Sequence, residues 1–385
     1  MTTYDALRTE LKRGGVEAVL TQLVTSLREQ KQYHELFEAL KMKMRQQLAL
    51  PLFPGMSSGE LSEEQQSALE KSLLEACREV GTLLLSAGKI REGWMYLRPV
   101  GDKKAAAELL RQVTADEENT EELIEVCLHE GVDVGRGYQL LLEQYGVCNA
   151  ITTFDTGLAR LPRADQQAAA TLLLRRLHAD LVGNVIYDIT RQEGNPPAEK
   201  TLAALVADRD WLLQDGQYHI DTTHLASTVR IARLLSEPAD LRLALDLTAY
   251  GKRLHTQFQH SGDEPFAEVY PSHELYFQAM LNENRDAAVA YFRQKAEELD
   301  VSQHGTAPAE VYIDLLARMG QPKEAITEAL RLLPAGTQAL GIAPSLYELS
   351  QQAGDFSQLV ASAEERQDLL SFAAGLISQN DKAVK

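Results

Sequence analysis

The sequence predicts an all-α protein built from stacked antiparallel helical hairpins, with no significant β-sheet. Apolar residues recur at spacings of three and four in nearly every segment, which is typical of amphipathic helices. Short polar joints separate successive segments, and joints this short favour antiparallel neighbours. No two segments show the alternation of paired strands, since the β-leaning stretch 184–190 lies inside a helical pattern.

The composition fits a folded protein and argues against several functional classes. Of 385 residues, 44% are hydrophobic, which is enough to form a sizeable core. The formal net charge of −18 argues against binding to nucleic acid or to an anionic membrane surface. Three cysteines without a C-x-x-C pair exclude a disulfide scaffold and a four-cysteine zinc ribbon. We find no signal peptide and no membrane span, so we expect a cytoplasmic protein.

The order of segments along the chain predicts four regions. The first helix, from about residue 3, breaks at Gly14-Gly15, and its continuation carries an apolar stripe through residues 16–27. A loop rich in proline, glycine and serine follows, and Gly194 with Asn195-Pro196-Pro197 marks a second break. We therefore predict a helical hairpin at 1–48, a loop at 49–64, a first helical array at 65–194 and a second at 198–380. Within the second array the periodicity predicts helices at 198–214, 223–236 and 239–258, among others.

Four helix-to-helix turns share one pattern. A glycine or asparagine ends one helix, and a small or apolar residue follows five positions later, where the second helix would cross the first closely. The last three turn residues are 38 and 34 positions apart. The pairs are Gly88 with Gly93, Asn282 with Ala287, Gly320 with Ala325, and Gly354 with Leu359.

This pattern resembles the turn of the tetratricopeptide-type helical hairpin, whose period is about 34 residues. The resemblance covers about 120 residues near the C-terminus and a weaker patch at 73–98. The large aromatic residue expected early in the first helix is mostly missing, and Pro334 comes too soon. The resemblance therefore implies a divergent, TPR-like α-solenoid, in which stacked hairpins share a continuous core.

One sequence motif for catalysis is present but lacks its structural context. Residues 55–59 match the G-x-S-x-G nucleophile elbow. The elbow requires a strand before the serine and a helix directly after it, and the flanking sequence offers neither. A flexible loop is the better interpretation.

Histidines concentrate in one region. Five of the nine lie between residues 219 and 273, with tyrosine, arginine and aspartate nearby, a combination common in binding sites. Asp221, Thr222 or Thr223 could also cap a helix that begins here. The candidate ligand-binding residues are His219, Asp221, His224, Asp246, Tyr250, Arg253, His255 and His273.

Three interpretations of this region remain open: structural caps with half-buried histidines, a groove for a peptide or small ligand, and a metal or catalytic site. The H-E-x-x-H and paired E-x-x-H metal signatures are absent, so we predict no cofactor. The first functional hypothesis is a protein-interaction scaffold that binds another protein or peptide on a concave helical surface. The alternative is a small-ligand- or metal-binding protein, or an enzyme, with a polar pocket at 219–273.

Overall fold

The computed structural model describes residues 2–53, 61–298, 305–333 and 337–383, and these residues form an all-α protein. The described residues contain no β-sheet, and their β-type pairing is an isolated bridge between Ser261 and Glu268. The predicted fold class is confirmed to this extent. The chain divides into two compact units, 1–146 and 147–385. Among the described residues, no helix is long and apolar enough to span a membrane.

The N-terminal unit begins with helices that each pack on the next. Helix α1 packs on α2, α2 on α3, and α3 on α4. The first and third begin with capping boxes, in which Thr2 pairs with Asp5 and Ser62 with Gln65. The helices are α1 (Thr3–Glu29), α2 (Tyr33–Gln47), α3 (Glu63–Ser86), α4 (Ile90–Leu97), α5 (Lys103–Arg111), α6 (Thr120–Ile124), which continues into a π-helical turn (Glu125–His129), and α7 (Val134–Thr156), which leads into the second unit.

Two glycines explain local features of this unit. Gly15 has φ of 70° and interrupts α1, as the Gly14-Gly15 pair predicts. Gly93 lies where α4 crosses α3, and a Cβ atom at this position would lie 2.7 Å from side-chain carbons of Leu85. The prediction of a small residue at a close helix crossing is therefore correct at residue 93.

After the end of α7, the C-terminal unit continues with a long helix against which three others pack. Helix α8 contacts α9, α10 and α11, and from α11 onward helices again pack in sequence, although α12 also contacts α10. Gly194 ends α8 in the left-handed conformation, with φ of 80°, as predicted. The helices are α8 (Arg163–Glu193), α9 (Leu202–Ala207), α10 (Thr222–Ile231), α11 (Pro238–Gly251), α12 (Val269–Met280), α13 (Arg285–Glu298), α14 (Ala307–Arg318), α15 (Pro322–Leu332), α16 (Leu346–Ala353), α17 (Ser357–Glu365) and α18 (Leu369–Ala383).

The four predicted turns adopt the expected backbone conformation, with one error in register. Their turn residues all have positive φ, between 63° at Asn282 and 78° at Gly320. Ala325 and Leu359 are buried, as the pattern predicts. Ala287 is exposed, and its neighbour Ala288 is buried instead. Asn284 also has positive φ, so this turn is longer and the buried position moves by one residue.

Two helix predictions in the second array are wrong in extent. The segment 198–214 forms only the short α9 and a 3-10 turn (Asp210–Gly216), which contains a residue with positive φ, Asp215. The segment 239–258 is helical only to Gly251, and a second 3-10 turn (Thr256–Phe258) follows. In both segments the leucines have the spacing of a helix and are buried. They are buried by tertiary packing and not on the face of one continuous helix, so the spacing predicts helices that are too long. The G-x-S-x-G motif at 55–59 lies outside the described residues.

Candidate functional site

The eight candidate residues do not form one pocket. Asp246 on α11 accepts hydrogen bonds from the backbone N–H groups of Leu202 (2.8 Å) and Ala203 (2.9 Å), at the start of α9. Its Oδ2 atom also lies 2.8 Å from Nε2 of His178 on α8. Because Asp246 satisfies donors at a helix N-terminus, its role here is to join α8, α9 and α11.

His219 belongs to a second network. Its Nδ1 atom and its backbone N–H both lie 3.0 Å from the hydroxyl of Tyr250, and its Nε2 lies 3.4 Å from Asp188 Oδ2. Burial lowers the pKa of His219, and the bond to Asp188 opposes this shift. Burial likewise raises the pKa of Tyr250. The network joins the segment before α10 to α8 and α11.

Asp221 is the N-cap of α10. Its Oδ1 atom accepts hydrogen bonds from the backbone N–H groups of Thr223 (2.8 Å) and His224 (3.1 Å). The side-chain hydrogen bond from Thr223 is the largest cause of its lowered pKa. Of the three residues that the sequence offers as caps, Asp221, Thr222 and Thr223, the N-cap is therefore Asp221.

Arg253 and His255 lie at a different corner of the unit. Arg253 pairs with Asp210 and donates to the carbonyl oxygen of Ala207 at 3.3 Å. His255 is exposed, and its Nδ1 accepts a hydrogen bond from the backbone of Gln257 at 3.3 Å. Within the described part of the chain, no group of three or more histidine, cysteine, aspartate or glutamate side chains is arranged to hold a metal ion.

His273, the last of the eight, lines a cavity of about 440 Å³ in the C-terminal unit. The walls come from α10, the loop 260–266, α12 and α14. Two further cavities, of about 360 and 750 Å³, continue from it, because each shares lining residues with the next. We call this set of three cavities the α10–α14 groove.

The groove contains an arginine that forms no ion pair with any residue the structure describes. Arg233 lines both the first cavity and the one beside it. Its Nε donates to the carbonyl oxygen of Arg230 at 3.0 Å, and its guanidinium carbon lies 4.4 Å from the centre of the Phe266 ring. Among the described residues, its terminal amino groups have no hydrogen-bond acceptor and no carboxylate within ion-pair distance. Part of the side chain reaches the surface, but burial of the guanidinium lowers the pKa of Arg233 to about 10.

The other arginines of the groove are paired. Arg230 forms two hydrogen bonds of 2.8 Å with Asp155. Arg318 donates to the carbonyl oxygens of Arg233 and Leu235, and to the Tyr276 hydroxyl at 2.7 Å. Arg318 therefore holds the turn that carries Arg233, while the one hydrogen bond of the Arg233 side chain among the described residues is to the carbonyl oxygen of Arg230.

His273 supports the wall of the first cavity. Its ring stacks on Phe266, with centroids 4.2 Å apart and an angle of 27° between planes. Its Nδ1–H donates to the carbonyl oxygen of Val269 at 2.5 Å. Burial, followed by the charge of Arg233, lowers the pKa of His273 well below its usual value, so the ring is neutral. His273 thus contributes shape and no charge to the cavity.

An irregular segment crosses the groove. The buried carboxylate of Glu310 on α14 accepts hydrogen bonds from the backbone N–H groups of Leu340 (2.7 Å) and Ile342 (2.8 Å). It also accepts a bond of 2.5 Å from the Thr306 hydroxyl. Ile342 lines all three cavities. Glu310 thereby fixes one wall of the groove.

Comparisons of the chain with protein-family models, curated proteins and solved structures give no match. Any functional proposal for this protein therefore depends on the geometry of the groove. Sequence reasoning did not identify Arg233, because no local signal distinguishes it from arginines that find a carboxylate, such as Arg175 with Asp240 at 2.8 Å.

Proposed function

We propose that this protein is an interaction adaptor of the TPR-like helical-repeat class, and that its C-terminal unit binds an acidic segment of a partner protein in the α10–α14 groove. The sequential packing of helices and the left-handed turns at Gly88, Asn282, Gly320 and Gly354 support the repeat class. The observation that carries the binding proposal is the unpaired guanidinium of Arg233.

An arginine with its guanidinium buried among protein atoms costs free energy unless an anion compensates it. The charges of Asp314 and Asp263 act on Arg233, but among the described residues neither carboxylate lies within ion-pair distance of it, and Asp314 is engaged by Tyr276 at 3.1 Å. A carboxylate from a ligand would supply the compensating negative charge, and arginine binds carboxylates through two parallel hydrogen bonds. The apolar wall formed by Phe266, Val311 and Ile342 would pack against the rest of the segment.

The test measures fluorescence anisotropy of labelled fifteen-residue acidic peptides, each with a twin in which amides replace the side-chain carboxylates. We expect the acidic peptides to bind, and Arg233→Met to weaken binding at least tenfold. Arg366→Met is the matched control, because it makes the same charge change at an exposed arginine of the same unit. Equal binding by Arg233→Met and the wild type would contradict the proposal.

A second candidate function is the binding of a free small anion, which the first cavity favours by its size. About 440 Å³ lies within the ~300–1,000 Å³ range of small-ligand pockets. Binding of small carboxylates at Arg233, with no gain in affinity for any peptide, would replace the adaptor proposal by this one.

A further inference from the structure

We propose that helix α18 pairs in antiparallel orientation with α18 of a second copy of this chain, about a twofold axis at Ala373. The surface that pairs is the exposed side of α18, which we call the α18 stripe and which consists of Leu369, Leu370, Ala373, Leu376 and Ile377. The described residues of α18 do not line the α10–α14 groove, so this inference goes beyond the adaptor function and does not depend on it.

The packing of α18 determines which side of the helix faces outward. Helix α18 packs on α17, and a Cβ atom at Gly375 would lie 2.7 Å from Cγ2 of Val360 on α17. The Tyr347 hydroxyl on α16 lies 3.0 Å from the Ser378 hydroxyl on α18. Because each residue turns a helix by about 100°, Ala373 lies about 160° around the helix from Gly375. The other stripe residues lie within about 60° of Ala373, so the stripe is one continuous face that points away from α17.

The side chains of the stripe are unusually exposed for apolar residues. Leu370 is 85% exposed, Leu369 is 80% exposed and Ile377 is 62% exposed. A single exposed leucine is ordinary, but several apolar side chains that adjoin on one helix face indicate an interaction surface. The stripe extends about 12 Å along the helix axis. Its burial against a partner would remove this apolar surface from water and stabilise the assembly.

The spacing of residues in the stripe indicates that the partner is a second copy. Leu370 and Leu376 each lie three positions from Ala373, and Leu369 and Ile377 each lie four positions from it. The stripe therefore presents the same pattern in both directions, with two large side chains on either side of a small one. An interface about a twofold axis requires such a self-complementary surface, whereas a face that binds an unrelated protein does not. An antiparallel pair places the two leucines at one end of the stripe opposite Leu376 and Ile377 of the second copy, and Ala373 lets the helices approach closely.

The charges near the stripe also favour an antiparallel pair. Residues 369–380 contain no charged side chain, although the net charge of −18 makes two copies repel each other over much of their surface. Asp368 caps the start of α18 and accepts a hydrogen bond of 3.1 Å from the backbone N–H of Ser371. Antiparallel pairing brings Asp368 toward the amide side chains of Gln379 and Asn380 of the second copy, which can donate to it. Parallel pairing would bring two Asp368 carboxylates together.

The same composition argues against a membrane as the partner of the stripe. Helices that lie in a membrane interface usually carry lysine and arginine on their polar face, and residues 369–380 contain neither. A dimer also has a consequence for the adaptor function. Because it presents two α10–α14 grooves, it would bind a partner with two acidic segments more tightly than a single chain does.

The first experiment measures the oligomeric state of the full chain by sedimentation velocity between about 1 and 300 µM, because one helix face is small and suits a micromolar dissociation constant. We expect the wild type to change from monomer to dimer across this range. Leu370→Glu and Ile377→Glu should each weaken dimerisation at least tenfold. Tyr187→Glu is the matched control, since Tyr187 is an exposed apolar residue on α8 of the same unit. All three positions are exposed, and circular dichroism checks that each variant folds.

The second experiment locates the twofold axis by disulfide crosslinking in a Cys148→Ser background. Cys148 is exposed, whereas Cys77 and Cys127 are buried. A residue on the axis lies next to its counterpart, within the ~4.4–6.8 Å between Cα atoms that a disulfide requires, so Ala373→Cys should crosslink two copies on mild oxidation. Gln379→Cys, on an exposed position of the same helix, should not crosslink, because antiparallel pairing separates the two copies of residue 379 by about 18 Å along the axis.

Three results would overturn the proposal. The first is a wild type that stays monomeric over the whole concentration range. The second is a dimer whose dissociation constant neither glutamate variant of the stripe changes. The third is equal crosslinking by Ala373→Cys and Gln379→Cys, which would contradict the antiparallel arrangement. Flotation of the monomeric protein with phosphatidylcholine vesicles would likewise overturn it and assign the stripe to a membrane surface.

Discussion

Two neighbouring arginines of the C-terminal unit, Arg318 and Arg233, differ in the hydrogen-bond acceptors that surround them. Arg318 satisfies two carbonyl oxygens and a tyrosine hydroxyl, and lies 3.6 Å from Asp314. Arg233 has one backbone acceptor and one aromatic face. Substitution of Arg318 breaks a buried network, while substitution of Arg233 removes a cation that forms no ion pair within the described part of the chain.

We therefore predict opposite outcomes for the same substitution at these two positions. Arg318→Met should lower the free energy of unfolding by about 2–4 kcal/mol, since it leaves buried carbonyl groups without donors. Arg233→Met should leave stability within about 1 kcal/mol of the wild type or raise it. Urea denaturation followed by circular dichroism measures both. A large loss of stability in Arg233→Met would mean that this arginine is structural.

The lowered pKa of His273 makes the stability of the folded protein depend on pH. Its pKa in the folded state lies well below its usual value of about 6.5, so the unfolded chain binds the proton more readily. Its contribution is complete above about pH 6.5 and decreases as pH falls toward the folded-state pKa. His219, whose pKa is also lowered, acts in the same direction.

The loss of stability between pH 7.5 and pH 5.5 should therefore be smaller in His273→Leu than in the wild type. His255→Leu is the control, because His255 is exposed. Urea denaturation at the two pH values provides the comparison. An equal pH-dependent loss in wild type and His273→Leu would show that His273 becomes charged without penalty in the folded protein.

At the scale of helices and turns, substitution of two alanines tests which residue of each hairpin is buried. Ala325 and Ala287 occupy equivalent positions in the sequence pattern, yet Ala325 is fully buried and Ala287 is exposed. Ala325→Arg should cost a few kcal/mol, since it overpacks the core and buries a charge. Ala287→Arg should change stability by less than about 0.5 kcal/mol. Similar melting temperatures for the two variants would contradict the assigned register.

Ala325 and Ala287 also show how much of the helices and turns could be predicted from the sequence. Helix period and glycine turns are local signals, so most of the helices and the four left-handed turn residues could be predicted from them. The length of the turn at Asn282 depends on Asn284, whose positive φ no periodicity reveals. The candidate site is harder to predict from the sequence than the helices, because it depends on which arginine forms no ion pair in the folded chain. Arg175, Arg209 and Arg230 form ion pairs with carboxylates far along the chain or across a loop, whereas Arg233 forms none with the described residues.

At the scale of the whole molecule, the chain consists of two units, each with its own core. The N-terminal unit has two clusters of buried apolar residues. One includes Leu36 and Val80, and the other includes Leu85, Trp94 and Cys127. The division falls at Gly146, whose φ of 76° interrupts α7. The groove lies within the C-terminal unit, so its chemistry does not require residues 1–146.

Each unit should therefore fold when expressed separately, as 1–146 and 147–385. A compact unit with its own apolar core satisfies the usual condition for independent folding. Both fragments should show helical circular dichroism well above the ~30–35% helix of average domains, and cooperative thermal unfolding. Fragment 147–385 should retain the affinity of the full chain for the acidic peptides. A fragment 1–146 without cooperative unfolding would show that its core is incomplete alone, and a fragment 147–385 that folds but does not bind would place part of the binding surface in the N-terminal unit.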